Sequence, residues 1–304
     1  MTEATTLKAK DFKGKFPNWC PGCGDFGVLT AMQRAAANLG LAREELVITT
    51  GIGCSGNFTA FFQSYGFHGI HGRALPAATG IHLANPELTN VIAGGDGDGF
   101  GIGLGHFMHA ARRNLDLCYV VMDNQVYGLT KGQTSPTTPE AESTKASPLG
   151  PLASPVRPLE LALTGGATFI AQGFSGDLKQ LVPLLEAAVQ HRGFSLVNVQ
   201  SPCITYNAFN TYEWFREHTA DVAEEGHDPS DLEAARRVIR DTRRVPTGIL
   251  YQVERPTFLD GLDRHRKTDT DALDPIAAAG APAAAIAASC GLFDGWLTEF
   301  QVRS

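Results

Sequence analysis

Residues 90–124 read "NVIAGGDGDGFGIGLGHFMHAARRNLDLCYVVMDN", and this stretch decides the fold. Two apolar runs, at residues 90–95 and 117–123, flank a segment at residues 102–113 whose apolar residues follow helical spacing. Neither run alternates apolar with polar residues, which is typical of parallel strands that helices cover on both faces. The stretch therefore predicts a strand–helix–strand unit with a right-handed crossover.

The same alternation of elements extends along most of the chain. Further strand-like runs lie at residues 45–50, 167–172 and 194–200. Further segments with helical spacing of apolar residues lie at residues 26–39 and 178–190. We predict an α/β fold in which helices cover both faces of a parallel sheet. This domain is expected to span residues 1–220, with an irregular, proline-rich loop at residues 132–158. Residues 221–304 are expected to form a peripheral helical tail that packs against another subunit.

Composition narrows the class of protein. The chain has 304 residues, of which 43% are hydrophobic, and a net charge of −7. A negative chain argues against general nucleic-acid binding, because a phosphate backbone requires a cationic surface. No apolar run approaches the ~20 residues of a membrane span, and the N-terminus lacks the apolar segment of a signal peptide. We therefore expect a cytoplasmic protein, in which the six cysteines are metal ligands or core residues rather than disulfides.

A glycine-rich turn follows the first strand of the opening stretch. Such a turn from strand to helix points backbone N–H groups at a place where phosphate oxygens can bind. Asp96 lies in this turn between two glycines, and Asn124 lies at the end of the next strand. Both positions fall at the carboxyl edge of the predicted sheet, where ligands bind in open α/β folds.

Asp96 predicts a cation in this turn, because a bare carboxylate would repel a bound phosphate. Mg²⁺ takes oxygen ligands in an octahedron, and Asp96, Asn124 and a backbone carbonyl of the following turn can provide three of them. The sequence "GDG" alone is equally compatible with a tight turn and a capping aspartate. The position of Asn124, one crossover after Asp96, favours the metal site.

The cysteines form a second pattern. Cys20 and Cys23 belong to "CPGC", Cys54 follows a glycine turn in "GIGC", and Cys203 ends "SPC". A zinc ion, a disulfide or an iron–sulfur cluster could use such residues, and spacing alone leaves zinc and a cluster equally supported. The two remaining cysteines, Cys118 and Cys290, are expected to be small buried residues.

Six motifs together resemble one enzyme family. They are "WCPGCGDFGVL", "GIGCSGN", "HGRALPAATG", "GGDGDGFGIG", "MDNQVYGLTKGQTSPTTP" and "SPCITYN", and they cover residues 19–207. Through them the chain resembles the beta subunit of 2-oxoacid:ferredoxin oxidoreductases, most closely the two-subunit 2-oxoglutarate type. The resemblance implies a thiamine-diphosphate-binding fold with thiamine diphosphate, Mg²⁺ and one [4Fe–4S] cluster. It also implies an alpha subunit as partner, in an alpha2beta2 heterotetramer, and ferredoxin as electron acceptor.

The resemblance also assigns residues. The implied cluster ligands are Cys20, Cys23, Cys54 and Cys203, and the implied magnesium ligands are Asp96, Asn124 and the carbonyl of Val126. The implied contacts of thiamine diphosphate are Ile52, Gly53, Cys54, Ser55, His71, Gly97, Asp98, Gly128 and Leu129. Arg73 and Lys131 are candidates for binding the substrate carboxylate, although solvated or ion-paired roles are equally compatible. The remaining histidines near these motifs are expected to be structural: His68, His82, His106 and His109.

The implied reaction is a reversible oxidative decarboxylation. A 2-oxoacid, expected to be 2-oxoglutarate, is converted with coenzyme A to succinyl-CoA and CO2, and the electrons pass through the cluster to ferredoxin. The carboxylate that activates the cofactor is expected from the alpha subunit. Three alternatives remain at this stage: a pyruvate:ferredoxin oxidoreductase beta subunit, a non-redox thiamine enzyme and a zinc-stabilised subunit without catalysis. The sequence does not decide the 2-oxoacid or the physiological direction.

Overall fold

The computed structural model describes residues 7–268, with side chains to residue 264. The strands are β1 Leu46–Thr50, β2 Tyr65–His68, β3 Thr89–Gly95, β4 Leu117–Asp123, β5 Val126–Tyr127, β6 Gln133–Thr134, β7 Phe169–Phe174, β8 Phe194–Gln200, β9 Thr219–Asp221 and β10 Val245–Gln252. The α-helices are α1 Asp25–Asn38, α2 Phe58–Phe61, α3 Ala74–Ala84, α4 Leu104–Arg113, α5 Pro158–Gly165, α6 Leu178–Gln190, α7 Tyr212–His218, α8 Leu232–Arg240 and α9 Phe258–Thr268. A compact unit ends at Thr257, and α9 belongs to a second unit.

One sheet of eight strands forms the centre of the first unit, in the order β2-β1-β3-β4-β8-β7-β10-β9. The six strands from β2 to β7 in this order are parallel to one another. All five predicted strands are present within two residues of their expected bounds. The prediction of an α/β fold with a mostly parallel sheet is therefore confirmed.

The structure differs from the prediction at one side of the sheet. Strand β10 pairs antiparallel with β7, and β9 pairs parallel with β10. Residues 221–252 thus belong to the sheet domain, although the sequence predicts a peripheral helical tail from residue 221. Pro246 and Gly248 interrupt the apolar pattern of β10, and such residues weaken a strand signal. Residues 269–304, which include Cys290, lie outside the described residues.

Helices cover both faces of the sheet, as predicted. On one face, Val91 and Ala93 of β3 join a core cluster with residues of α1 and α6, such as Met32 and Leu185. On the other face, Ile92 joins a cluster that includes residues of α3, α4 and α5. Each fully buried aliphatic side chain of this kind contributes roughly 1.5–3 kcal/mol to stability. Within the described part of the chain, no helix is both long and apolar enough to span a membrane.

The carboxyl ends of β1, β3, β4 and β8 meet at one edge of the sheet. Their continuations are the segments at residues 51–55, 96–98, 124–128 and 201–203. These segments contain nearly all the residues that the motifs single out. The fold therefore brings together groups that are separated by up to about 150 residues in the sequence.

Candidate active site

A cavity of about 450 Å³ opens at this edge of the sheet. It is lined by every residue predicted to contact thiamine diphosphate or magnesium: Ile52, Gly53, Cys54, Ser55, His71, Asp96, Gly97, Asp98, Asn124, Val126, Gly128 and Leu129. Its size is that of an ordinary cofactor pocket. The structure thus gathers the predicted contact residues into one site.

Asp98 connects two turns at the cavity wall. Its buried carboxylate accepts hydrogen bonds from the backbone N–H of Ile52, at 2.9 Å, and of Gly72, at 2.8 Å. The Nδ1 atom of His71 lies 3.0 Å from the same oxygen, Oδ1. A Cβ atom at Gly51 would lie 2.1 Å from the other oxygen, so Gly51 leaves the room that this carboxylate occupies. Asp98 therefore fixes the positions of the glycine turn and of His71.

Asp96 belongs to a buried pair of carboxyl groups. The hydroxyl of Thr137 lies 2.8 Å from Oδ2 of Asp96 and 2.9 Å from Oδ1 of Asp123. Burial raises the pKa of both groups, and the charge of Asp96 raises that of Asp123 further. The hydroxyl of Thr137 has one proton and can donate to only one of the two carboxyl groups. For both hydrogen bonds to form, the other carboxyl group carries a proton and donates it to the hydroxyl oxygen.

The glycines of the acidic turn make room for a tyrosine. A Cβ atom at Gly97 would lie 2.2 Å from Cε1 of Tyr127, and one at Gly101 would lie 2.8 Å from the tyrosine oxygen. The hydroxyl of Tyr127 donates to the carbonyl of Gly97 at 3.3 Å. The sequence resemblance assigns Gly97 to the contacts of the cofactor. In the structure, Gly97 is also required by the ring that packs against it.

The four predicted cluster cysteines lie close together. They are free thiols, and burial raises the pKa of Cys54 to about 12 and raises those of Cys23 and Cys203 as well. The charges of neighbouring cysteines and of Asp25 raise these values further. Such thiols remain protonated unless a cation is present to stabilise the thiolates.

Backbone contacts hold the cysteine segments together. The indole N–H of Trp19 donates to the carbonyl of Cys54 at 2.8 Å, and the N–H of Gly24 donates to the carbonyl of Pro202 at 3.1 Å. The hydroxyl of Ser201 donates to Oδ1 of Asp25 at 2.7 Å. The segment before α1 is thereby joined to the glycine turn after β1 and to the segment after β8.

Gly128 lies beneath two of these thiols. An ideal Cβ atom at Gly128 would lie 3.4 Å from Sγ of Cys54 and 3.7 Å from Sγ of Cys203. Cys54 and Gly128 also line the cavity. The cysteine cluster and the cavity are therefore adjacent. Within residues 7–268, however, no three His, Cys, Asp or Glu side chains converge closely enough to ligate a single metal ion.

The two candidate substrate residues do not line the cavity. Arg73 directs its guanidinium to the carbonyls of Gly72 and Ile102, at 3.4 and 3.5 Å. Lys131 is exposed in the turn between β5 and β6 and has a positive φ of 78°. Arg73 thus has a structural contact, and Lys131 lies outside the cavity wall.

The other residues that the sequence assigns to structural roles also lie away from the cavity. Cys118 is buried in β4, as expected. His82 is buried, and burial lowers its pKa, whereas His68 is exposed. His106 and His109 belong to α4.

Sequence analysis missed several residues of the site. Asp25, Tyr127 and Gln133 line the cavity, and Thr137 touches Asp96 from the loop at residues 132–158. The sequence contains a signal for two of them: Asp25 follows the cysteine motif directly, and Thr137 lies in "TSPTTP". This hydroxyl-rich loop lines part of the cavity, and its Thr137 contacts the carboxylate of Asp96 in the cavity wall.

Comparison with known families supports the interpretation of the fold. Residues 51–199 match the family described as thiamine pyrophosphate enzyme, C-terminal TPP binding domain. Residues 203–267 match the family described as the C terminal of the pyruvate ferredoxin oxidoreductase beta subunit. The fold and the site thus define a thiamine-diphosphate-binding enzyme subunit.

Individual relatives identify the family. The chain is 44% identical over 258 residues to "2-oxoacid:ferredoxin oxidoreductase 2, subunit beta" of Aeropyrum pernix, in a match that covers 81% of this chain and 84% of the relative. It is 44% identical over 201 residues to "2-oxoglutarate oxidoreductase subunit KorB" of Mycobacterium tuberculosis, in a match that covers 66% of this chain and 54% of the relative. The chain belongs to the beta subunits of the 2-oxoacid:ferredoxin oxidoreductases. The predicted family is therefore confirmed.

A solved structure agrees with this identification. The structure described as 2-oxoglutarate:ferredoxin oxidoreductase from Magnetococcus marinus, with 2-oxoglutarate, coenzyme A and succinyl-CoA bound, superposes with a TM-score of 0.85. It is 41% identical in sequence, and the match covers 92% of this chain and 98% of that chain.

Proposed function

We propose that the chain is the beta subunit of a 2-oxoglutarate:ferredoxin oxidoreductase that forms succinyl-CoA and CO2. The observation on which this proposal rests is the position of Cys54, which lines the thiamine cavity and lies against Gly128 together with Cys203. When bound, thiamine diphosphate supplies the electron sink for loss of CO2. An adjacent iron–sulfur cluster would accept the electrons and pass them to ferredoxin.

Magnesium is proposed at Asp96 and Asn124, with the carbonyl of Val126. Asp96 is buried and lines the cavity, and no lysine or arginine is among the lining residues that the structure describes. An isolated buried carboxylate is costly, and a bound cation removes that cost. Asn124 follows β4 and is held by its own turn, in which its side-chain oxygen accepts from the N–H of Val126 at 3.1 Å. This set of oxygen donors suits Mg²⁺.

A [4Fe–4S] cluster is proposed on Cys20, Cys23, Cys54 and Cys203. The sulfur atoms of Cys54 and Cys203 both lie against Gly128, and thiolates buried at this place require a cationic partner. A zinc site would need four ligands around one ion, and such convergence is absent from the described residues. A cluster of four irons spreads its ligands further apart.

The alpha subunit is proposed to cover the apolar surface beside the cavity. Exposed large apolar side chains gather on β2, in the turn after it and near the cavity: Tyr65, Phe67, Ile70, Ile102 and Leu129. Ile102 packs against Gly72, so the turn and the acidic glycine segment form a continuous surface. Apolar surfaces of this kind mark protein interfaces. An alpha2beta2 assembly and binding of coenzyme A are proposed from the same family.

Pyruvate is the second candidate substrate, because the match of residues 203–267 is to a pyruvate ferredoxin oxidoreductase family. The KorB relative and the Magnetococcus marinus structure favour 2-oxoglutarate. Relative rates with the two acids, measured on the alpha–beta pair, distinguish them.

The visible absorption spectrum and metal content of the purified chain test the cofactor assignment. We expect broad visible absorbance that dithionite bleaches, together with iron and acid-labile sulfide. A colourless chain that contains zinc would support the structural alternative. Normal thiamine diphosphate binding without iron would support a non-redox thiamine enzyme.

A further inference from the structure

Thr137 lies in the loop at 132–158, and its hydroxyl reaches the carboxylate of Asp96. The hydroxyl of Ser135, in the same loop, interacts with Asp96 and lies 3.3 Å from that of Thr137. Thr137 is 6% exposed, and its hydroxyl lies between Oδ2 of Asp96 and Oδ1 of Asp123, at 2.8 and 2.9 Å. The contact joins residues that are 41 positions apart. None of the motif assignments gives Thr137 a role.

The backbone around Thr137 is held by other groups. The hydroxyl of Thr138 donates to the carbonyl of Gln125 at 2.6 Å and accepts from the N–H of Ser135 at 2.8 Å. The N–H of Val156 donates to the carbonyl of Pro136 at 2.8 Å. Because these bonds do not involve the side chain of Thr137, the loop can keep its place when that hydroxyl is removed.

The two oxygens of Asp96 have different surroundings. Oδ2 is engaged by the hydroxyl of Thr137, whereas Oδ1 has a long contact of 3.4 Å from the N–H of Asn124. Asp123 is restrained on its far side, because its Oδ2 accepts from the side chain of Asn198 at 3.1 Å. The hydroxyl therefore separates two buried carboxyl groups and leaves one oxygen of Asp96 for a ligand.

We infer that Thr137 is a positioning residue for magnesium: it holds Asp96 through Oδ2, so that Oδ1 is the oxygen presented to the cation. The inference rests on the proposed magnesium and thiamine diphosphate site. Mg²⁺ demands near-ideal octahedral geometry, and a carboxylate that presents one fixed oxygen meets this demand. Partners of metal ligands typically change metal affinity 10- to 100-fold when they are removed.

The test is the Mg²⁺ dependence of thiamine diphosphate binding to the full chain, measured by calorimetry. Thr137→Val is expected to raise the half-saturating Mg²⁺ concentration about tenfold or more. Thr137→Ser, which keeps the hydroxyl, is expected to stay within about threefold of wild type. Asp96→Ala provides the reference for full loss of the site. Thr144→Val removes another buried hydroxyl of the same loop and should leave the Mg²⁺ dependence unchanged.

A second readout separates positioning from folding. The melting temperature without cofactor should be similar for wild type and Thr137→Ser and lower for Thr137→Val, because two buried carboxyl groups lose a hydrogen bond, but Thr137→Val should still unfold in one cooperative transition. Mn²⁺ binding followed by electron paramagnetic resonance should weaken in parallel with Mg²⁺ binding. If Thr137→Val does not fold, Thr137→Ala, which adds no second methyl group between the carboxyls, takes its place.

Unchanged Mg²⁺ dependence in the folded variant without the hydroxyl would overturn the inference. An equal loss in Thr137→Ser would overturn it too, because the hydroxyl would then not be the cause. If the proposed site itself is wrong, wild type will bind thiamine diphosphate without regard to Mg²⁺, which is a different result from a loss confined to the variants.

Discussion

Cys54 belongs to two parts of the molecule at once. It follows the glycine turn after β1, lines the cofactor cavity and lies over Gly128 beside Cys203. Its carbonyl is fixed by the indole of Trp19. A cluster held by this residue would lie next to the cofactor, which is the arrangement that electron transfer from one to the other requires.

Cys203→Ser tests the fourth proposed ligand. Loss of this thiolate is expected to remove or convert the cluster and to reduce ferredoxin reduction severely, because a serine oxygen is a poor replacement for sulfur at iron. Thiamine diphosphate binding should persist, since Asp96 and Asn124 are unchanged. Cys118→Ala, in the core of β4, should retain all the iron of wild type. A Cys203→Ser chain with full iron content would show that the ligand is wrongly assigned.

Asp25 predicts a pH dependence of stability. Burial raises the pKa of its carboxyl group from 3.8 to about 6. The hydrogen bond from Ser201 lowers this pKa, and the charge of Asp96 raises it. The folded chain therefore binds this proton more tightly than the unfolded chain, so stability falls as pH rises from about 4 to about 6 and stays low above. A pKa difference of this size corresponds to about 3 kcal/mol.

Asp25→Asn does not titrate and should lose much of this decline. The measurement is urea unfolding of the chain without cofactors at pH 4 and pH 8. Glu87 is exposed, and the Glu87→Gln variant should show the same change in free energy of unfolding with pH as wild type. An equal change in free energy of unfolding with pH for wild type and Asp25→Asn would show that Asp25 is not the source of the pH dependence.

At the scale of elements, Asn114 connects several parts of the sheet edge opposite the site. It ends α4 in the left-handed conformation, with φ of 49°. Its side-chain oxygen accepts from the hydroxyl of Thr168, at 2.7 Å, and from the N–H of Phe194, at 3.0 Å. Its side-chain nitrogen donates to the carbonyls of residues 255–256.

Asn114→Ala is expected to lower the free energy of unfolding by about 2–4 kcal/mol, because buried partners lose their hydrogen bonds. Asn114→Gly should recover only about 1 kcal/mol, since glycine removes the backbone strain but restores no bond. Denaturant unfolding measures both values, and Asn85→Ala, at the exposed end of α3, is the control. A glycine variant as stable as wild type would show that the backbone conformation alone matters.

The sequence predicts the central strands because they are apolar on both faces, and it predicts the turns because glycine, aspartate and cysteine stand at fixed positions. Strand β2 escapes prediction because all four of its residues are exposed, and β10 because proline and glycine interrupt it. Contacts such as Ser201 with Asp25 join residues 176 positions apart. Only folding brings such pairs together, so neither partner reveals its role in the sequence.

At the scale of the whole molecule, the described residues contain the thiamine cavity and the cysteine cluster beside an exposed apolar surface. The activating carboxylate is expected from the alpha subunit. The isolated chain should therefore bind Mg²⁺ and thiamine diphosphate and contain the cluster, yet fail to reduce ferredoxin. Adding the alpha subunit should restore the activity. Full activity of the isolated chain would contradict this division of roles.

Activity of the reconstituted alpha–beta pair tests the central claim most directly. Ferredoxin reduction is followed with 2-oxoglutarate, pyruvate and other 2-oxoacids, with and without coenzyme A. We expect reduction that requires coenzyme A, is fastest with 2-oxoglutarate and yields succinyl-CoA. Decarboxylation of 2-oxoglutarate without ferredoxin reduction, by a pair that contains its full iron, would contradict the account.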